Sequence, residues 1–177
     1  MVPDLAICPA TPDHIPAIHA IYSHSVIHGT ASWELTPPGE AELGRRMATV
    51  LEQGYPYFVA QLGGSVVGYT YASSYRTRPG YRYTVENSVY VANGLQGRGI
   101  GRALLGHLIN ACAERGFRQM IAVIGDSQNT ASIALHRSLG FVQVGLLPNI
   151  GFKFGRWLDS VLMQRALGDG HTTLPGA

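Results

Sequence analysis

Gly97, Gly99 and Gly101 stand at alternate positions between a segment with strand alternation and one with helical periodicity, and this junction constrains the fold more than any other feature. Before it, Thr84–Val91 places Val85, Asn87, Val89 and Val91 on one face and Glu86, Ser88 and Tyr90 on the other. After it, Leu104, Leu105, Leu108, Ile109 and Ala113 recur at helical spacing over residues 102–115, and Gly116 follows as a C′ glycine does. A glycine-rich turn opening a helix presents unpaired N–H groups at the positive end of the helix dipole, which is the form of an anion site. Arg98 and Arg102 add charge around it. Read alone, the segment also fits a tight turn with no ligand. It is not a Walker loop, which needs Gly-Lys-Ser/Thr, and it misses the G-x-G-x-x-G spacing of a dinucleotide fingerprint.

The rest of the chain alternates short strands with amphipathic helices. Residues 5–8 form an apolar strand ended by Pro9, and Thr11-Pro12-Asp13 caps a helix that buries Ile15, Ile18, Ile21 and Tyr22. Pro37 and Pro38 mark a loop before a helix over residues 40–53. Residues 57–61 and 66–72 read as a hairpin around Gly63-Gly64. An irregular Arg-rich segment, 73–82, precedes the alternating strand. The run 120–124 suits a strand buried on both faces, 129–139 a helix stopped by Gly140, and 141–167 two strands, the last holding Val161, Leu162 and Met163. One domain over 1–167 is expected, with a loose tail over 168–177.

Composition removes several classes of function. The net charge of +2 comes with 13 scattered Lys and Arg residues, which argues against nucleic acid but leaves room for a small anionic ligand. Cys8 and Cys112 have neither metal-ligand spacing nor a disulfide framework, as in a reducing compartment. Nothing near the N-terminus resembles a signal peptide, and no apolar run is long enough to span a membrane. A cytoplasmic protein without membrane partners is expected.

Three features together carry a resemblance. Gln96, Gly99 and Gly101 fit the Gln/Arg-x-x-Gly-x-Gly/Ala loop of the GNAT superfamily of acyltransferases; downstream stand Asn129 and His136-Arg137-Ser138-Leu139-Gly140-Phe141, similar to that superfamily's last helix and its Leu-Gly-Phe phrase. The resemblance spans roughly residues 5–167. It implies an α/β (α+β) fold: a mixed, mostly antiparallel sheet splayed between its fourth and fifth strands, with helices on both faces. It also implies acetyl-coenzyme A as co-substrate, with no metal. The pantetheine arm would lie in the gap, paired with the backbone of Val89, Tyr90 and Val91 and bonded by Asn129. Gly97, Arg98, Gly99, Ile100, Gly101 and Arg102 would hold the pyrophosphate.

His136 stands where the superfamily usually has Tyr. With the Thr84–Val91 strand and Gly151-x-Lys153-x-Gly155-x-Trp157-x-Asp159, it makes the chain resemble the phosphinothricin N-acetyltransferase group, whose bacterial relatives also acetylate methionine sulfoximine and methionine sulfone. The implied reaction is direct attack by the α-amine of a small amino-acid analogue in a ternary complex. An amine with a pKa like the ~10.4 of lysine costs about 4–5 kcal/mol to deprotonate at pH 7, so a base is useful. Glu86 fits that role, and His136 fits donation to the departing sulfur or a share of the base role; N–H groups near Val89 would stabilise the oxyanion. Arg76, Thr77, Arg78 and Tyr81, with Asn87 and Ser88, are candidates to grip a carboxylate or phosphinate, although the same loop also reads as a solvated basic segment. Trp33 and Glu34 are candidates for the opposite wall. Two other readings stay open: acetylation of a polyamine, protein N-terminus or aminoglycoside, and a non-catalytic coenzyme A sensor. The resemblance also implies a homodimer.

Overall fold

A computed structural model describes residues 4–175. The elements, in chain order, are β1 (Leu5–Pro9), α1 (Ile15–His28), α2 (Glu40–Glu52), β2 (Tyr57–Leu62), β3 (Ser65–Ser74), β4 (Thr84–Val91), α3 (Ile100–Glu114), β5 (Gln119–Gly125), α4 (Thr130–Ser138), β6 (Val142–Lys153) and β7 (Arg156–Ala166). Single 3-10 turns at Pro12–His14 and Pro79–Tyr81 join two of them. Element types agree with the sequence reading, and most boundaries differ by one or two residues. Residues 1–3 and 176–177, the ends of the expected domain and tail, lie outside the described residues. Residues 169–174 fold back on Arg118, whose guanidinium donates to Thr173 Oγ1 and the Leu174 carbonyl.

The seven strands form one sheet in the order β1-β2-β3-β4-β5-β7-β6, antiparallel except for β4 beside β5. On one face α3 sinks Leu104, Leu105, Leu108 and Cys112, all fully buried, onto the strands. Each leucine contributes about 1.5–3 kcal/mol by leaving water. Burial pushes the Cys112 thiol up to about 12, so it packs as an inert apolar group. On the other face α1 and α2 cover an aromatic layer of Tyr22, Tyr57, Tyr69 and Tyr90, with Tyr69 and Tyr90 stacked at 5.0 Å and Tyr22 edge-on to Tyr90 at 5.3 Å.

The parallel pair is short. β4 and β5 are in register only from Thr84↔Gln119 to Glu86↔Ile121, while β5 continues beside β7 as far as Gly125↔Ser160. Asn87 Nδ2 then donates to the Ile121 carbonyl at 3.0 Å, so a side chain takes over where the main-chain ladder stops. Beyond it the two strands part, and the sheet is splayed between its fourth and fifth strands.

Candidate active site in the splay

Strand alternation decides what faces the gap. Ala92 N donates to Val67 O and Tyr75 N to Thr84 O, so even-numbered residues of β4 turn their main-chain groups toward β3. Val89 and Val91 therefore turn theirs toward the gap, where β5 no longer pairs with them. This exposed edge leads to the start of α3. Gly99 caps that helix at φ 87°, a left-handed conformation that costs an L-residue about 1–2 kcal/mol. The first bond into the helix runs from Ala103 N to Gly99 O, leaving the N–H groups of Ile100, Gly101 and Arg102 without an intrahelical acceptor.

A groove of about 480 Å³ joins these features. Its lining includes Val89, Tyr90, Val91, Gln96, Gly97, Gly99, Gly101 and Arg102 on one side and Asn129, Ser132 and Leu135 on the other. Arg102 is held there by its guanidinium, which donates to the carbonyl and hydroxyl of Ser138. Asn129 caps α4, accepting from Ser132 N at 3.2 Å. Two of the expected pyrophosphate residues are not among the groove's lining side chains. The Ile100 side chain is 1% exposed in the core and leaves only its main chain near the groove; Arg98 lines an adjoining depression that shares Gly99 and Arg102 with the groove.

Val89, Tyr90, Asn129 and Ser132 also line a second cavity of about 200 Å³, bounded by Ser32, Trp33, Glu86, Asn87, Ser88, Val123 and His136. The two cavities thus meet across the splay. Burial raises the Glu86 pKa above the ordinary carboxylate value, and the nearby charge of Arg76 opposes the rise. His136 is 3% exposed, with Nδ1 2.8 Å from the Ser132 carbonyl and Nε2 3.1 Å from Asn87 Oδ1. The bond from Asn87 Nδ2 to Ile121 fixes that amide, so both ring nitrogens face acceptors, and only the doubly protonated ring donates to both. Burial holds the His136 pKa below the ordinary imidazole value, with the bond to Ser132 opposing the drop.

Among the expected acceptor residues, Trp33, Glu86, Asn87 and Ser88 line this cavity, whereas Arg76, Thr77, Arg78 and Tyr81 do not. Those four lie in the exposed loop between β3 and β4, where Arg76 stacks on Tyr75 and Tyr81 meets Tyr75 edge-on. Glu34 turns away to Arg46 and the Tyr22 hydroxyl. The sequence reading missed Ser32 and the support beneath the site. Asp126 accepts from Arg156 at 2.7 Å, and Asp159 accepts from Ser127 Oγ and Asn149 N, tying the turn after β5 to the β6–β7 hairpin. The late motif with Arg156 and Asp159 was the available signal. Among the described residues, no group of three or more His, Cys, Asp or Glu side chains is placed to hold a metal ion.

A sheet opened between a parallel pair, with a glycine-rich helix entrance at one end of the gap and a half-buried carboxylate at the other, defines an acyltransferase of a known kind. The chain belongs to the acetyltransferase (GNAT) family, whose sequence profile matches residues 18–141. It is an acetyl-coenzyme A-dependent N-acetyltransferase. Within the family it is 55% identical over 163 residues to phosphinothricin N-acetyltransferase of Alcaligenes faecalis, covering 92% of this chain and 83% of that one. It is 45% identical over 152 residues to the L-methionine sulfoximine/L-methionine sulfone acetyltransferase of Salmonella typhimurium, covering 85% and 88%. The crystal structure of a phosphinothricin acetyltransferase from Sinorhizobium meliloti in complex with acetyl-coenzyme A superposes with a TM-score of 0.95 at 48% identity, covering 98% of this chain and 94% of that one.

Proposed function

We propose that the protein acetylates the α-amine of a small amino-acid analogue of the phosphinothricin, methionine sulfoximine or methionine sulfone type, by direct attack in a ternary complex. The observation that carries this reading is the junction of the two cavities. A groove built for an anion and an extended arm opens at Val89 and Tyr90 into a small chamber whose ionisable side chains include Glu86. Acetyl-coenzyme A supplies the thioester. Its pyrophosphate is assigned to the loop of Gly97, Gly99 and Gly101 with Arg102, and its arm to the open edge of Val89 and Val91. Glu86 takes the proton from the acceptor ammonium, directly or through water. The N–H of Val89 faces the developing oxyanion, and His136 is assigned to pass a proton to the departing sulfur.

The chamber suits a compact acceptor. Arg76 and Arg78, in the flanking loop, are the side chains assigned to the acceptor's carboxylate or oxidised end. A polyamine would find little here, since Glu86 is the one carboxylate in the chamber lining and Arg76 bears on it. The apolar side chains of β6, with Val142 63%, Val144 54% and Ile150 59% exposed on an edge strand, supply a surface for a second copy in a homodimer. No helix of the described residues is long and apolar enough to cross a membrane, and the assigned place of action is the cytoplasm.

A thiol-release assay tests the acceptor assignment. With phosphinothricin, methionine sulfoximine, methionine sulfone, spermidine and a short peptide offered separately, turnover is expected with the amino-acid analogues. Turnover confined to spermidine or the peptide would overturn the assignment.

A further inference from the structure

Lys153 ends β6, 3% exposed and, among the described residues, without a carboxylate in hydrogen-bond contact. Its ammonium donates to two main-chain carbonyls, Gly29 O at 2.9 Å and Ser32 O at 2.8 Å. Both belong to the loop that leaves α1, Gly29 as the helix C-cap and Ser32 three residues further on. The same loop is docked twice more. Thr30 Oγ1 donates to the Gly125 carbonyl at 3.2 Å, and a Cβ on Gly125 would collide with the Thr30 carbonyl. On β6 the Trp33 ring lies so close over Gly151 that no Cβ fits there. Desolvating an ammonium is costly, and here two carbonyl bonds offset it at a point 121 and 124 residues away along the chain. Ser32 and Trp33, which this loop carries, line the chamber with Glu86.

We infer that Lys153 is a positioning residue for the acceptor: its ammonium pins residues 29–34 to the β6 end, and thereby sets the Ser32 and Trp33 wall of the chamber. The inference rests on the acceptor placement proposed above, and it reaches the reaction through the loop, without contact between Lys153 and the reacting atoms. The groove for acetyl-coenzyme A is formed mainly by β4, α3 and α4, with Ala31 its one lining residue from the pinned loop, so the larger effect falls on the acceptor.

The test is Lys153→Met, which keeps the stem and removes both bonds, made in a Trp157→Phe background so that Trp33 is the only tryptophan. Acrylamide quenching of Trp33 is expected to rise, and KM for methionine sulfoximine to rise about tenfold, while KM for acetyl-coenzyme A stays within about twofold. Gly151→Ala, which displaces the Trp33 ring and leaves Lys153 intact, is expected to give the same split and serves if Lys153→Met does not fold. Unchanged quenching would overturn the clamp, and so would an equal rise in both KM values, which marks general loosening. A Trp33 signal that moves while the acceptor KM stays flat would overturn the link from loop to acceptor. The quenching arm needs no acceptor, so its outcome is separate from the acceptor assignment.

Discussion

Glu86→Gln is expected to lower kcat by about 10²- to 10⁴-fold, the range ordinarily lost with a positioned general base. The substitution keeps the side chain's size and removes only its basicity. Affinity for acetyl-coenzyme A, measured by equilibrium binding, should stay unchanged, because Glu86 stands outside the groove assigned to the cofactor. The pH profile gives the sharper signature. The base acts only when ionised, and burial raises its pKa, with Arg76 pulling the other way. In the native enzyme kcat/KM should therefore fall as pH drops through a value above the ordinary carboxylate range. In Glu86→Gln that limb should vanish, and the rate should climb with pH as the acceptor amine loses its proton unaided. A native-like rate and profile in the variant would remove Glu86 as base.

Gly99→Val should strike the other substrate. Gly99 holds φ at 87°, and a β-branched residue there is strained by about 1–2 kcal/mol or more. The turn then relaxes away from the geometry that aims the N–H groups of Ile100, Gly101 and Arg102 into the groove. KM for acetyl-coenzyme A is expected to rise about tenfold or more, at 1.36 kcal/mol per decade. The thermal midpoint should fall by a few degrees, about 2–4 °C for each kcal/mol in a chain of this length. At saturating acetyl-coenzyme A the acceptor KM should be unchanged. An unaltered KM for acetyl-coenzyme A would show that this turn does not hold the pyrophosphate.

What the sequence revealed follows from which interactions are local. Alternation in Thr84–Val91 assigned the faces of β4 correctly: Val85 is fully buried beneath α3, while Tyr90 stacks on the α1 side. The glycine turn was legible because turn chemistry is written in adjacent residues, whereas Asn129, expected as the first residue of a helix, serves as the cap of α4. Long-range partners were not legible. Asn87 was read as an acceptor contact, yet its amide also bridges Ile121 and His136, and nothing at position 87 names residues 34 and 49 positions away. Lys153 carried a motif without a role for the same reason, since its bonds cross more than 120 residues. The loop of Arg76 to Tyr81 read as a clamp from composition alone. The fold leaves it exposed beside the chamber, with Arg76 acting on Glu86 through its charge.

The central claim is that acetyl passes from acetyl-coenzyme A to an α-amine held in the splay. Methionine sulfoximine carries two nitrogens, and only one of them is an α-amine. Incubating the enzyme with carbonyl-labelled acetyl-coenzyme A and methionine sulfoximine, then locating the label by nitrogen-correlated NMR, separates the possibilities. The account predicts label on the α-nitrogen with one free thiol released per product. Label on the sulfoximine nitrogen, or labelled acetate alone, would contradict it.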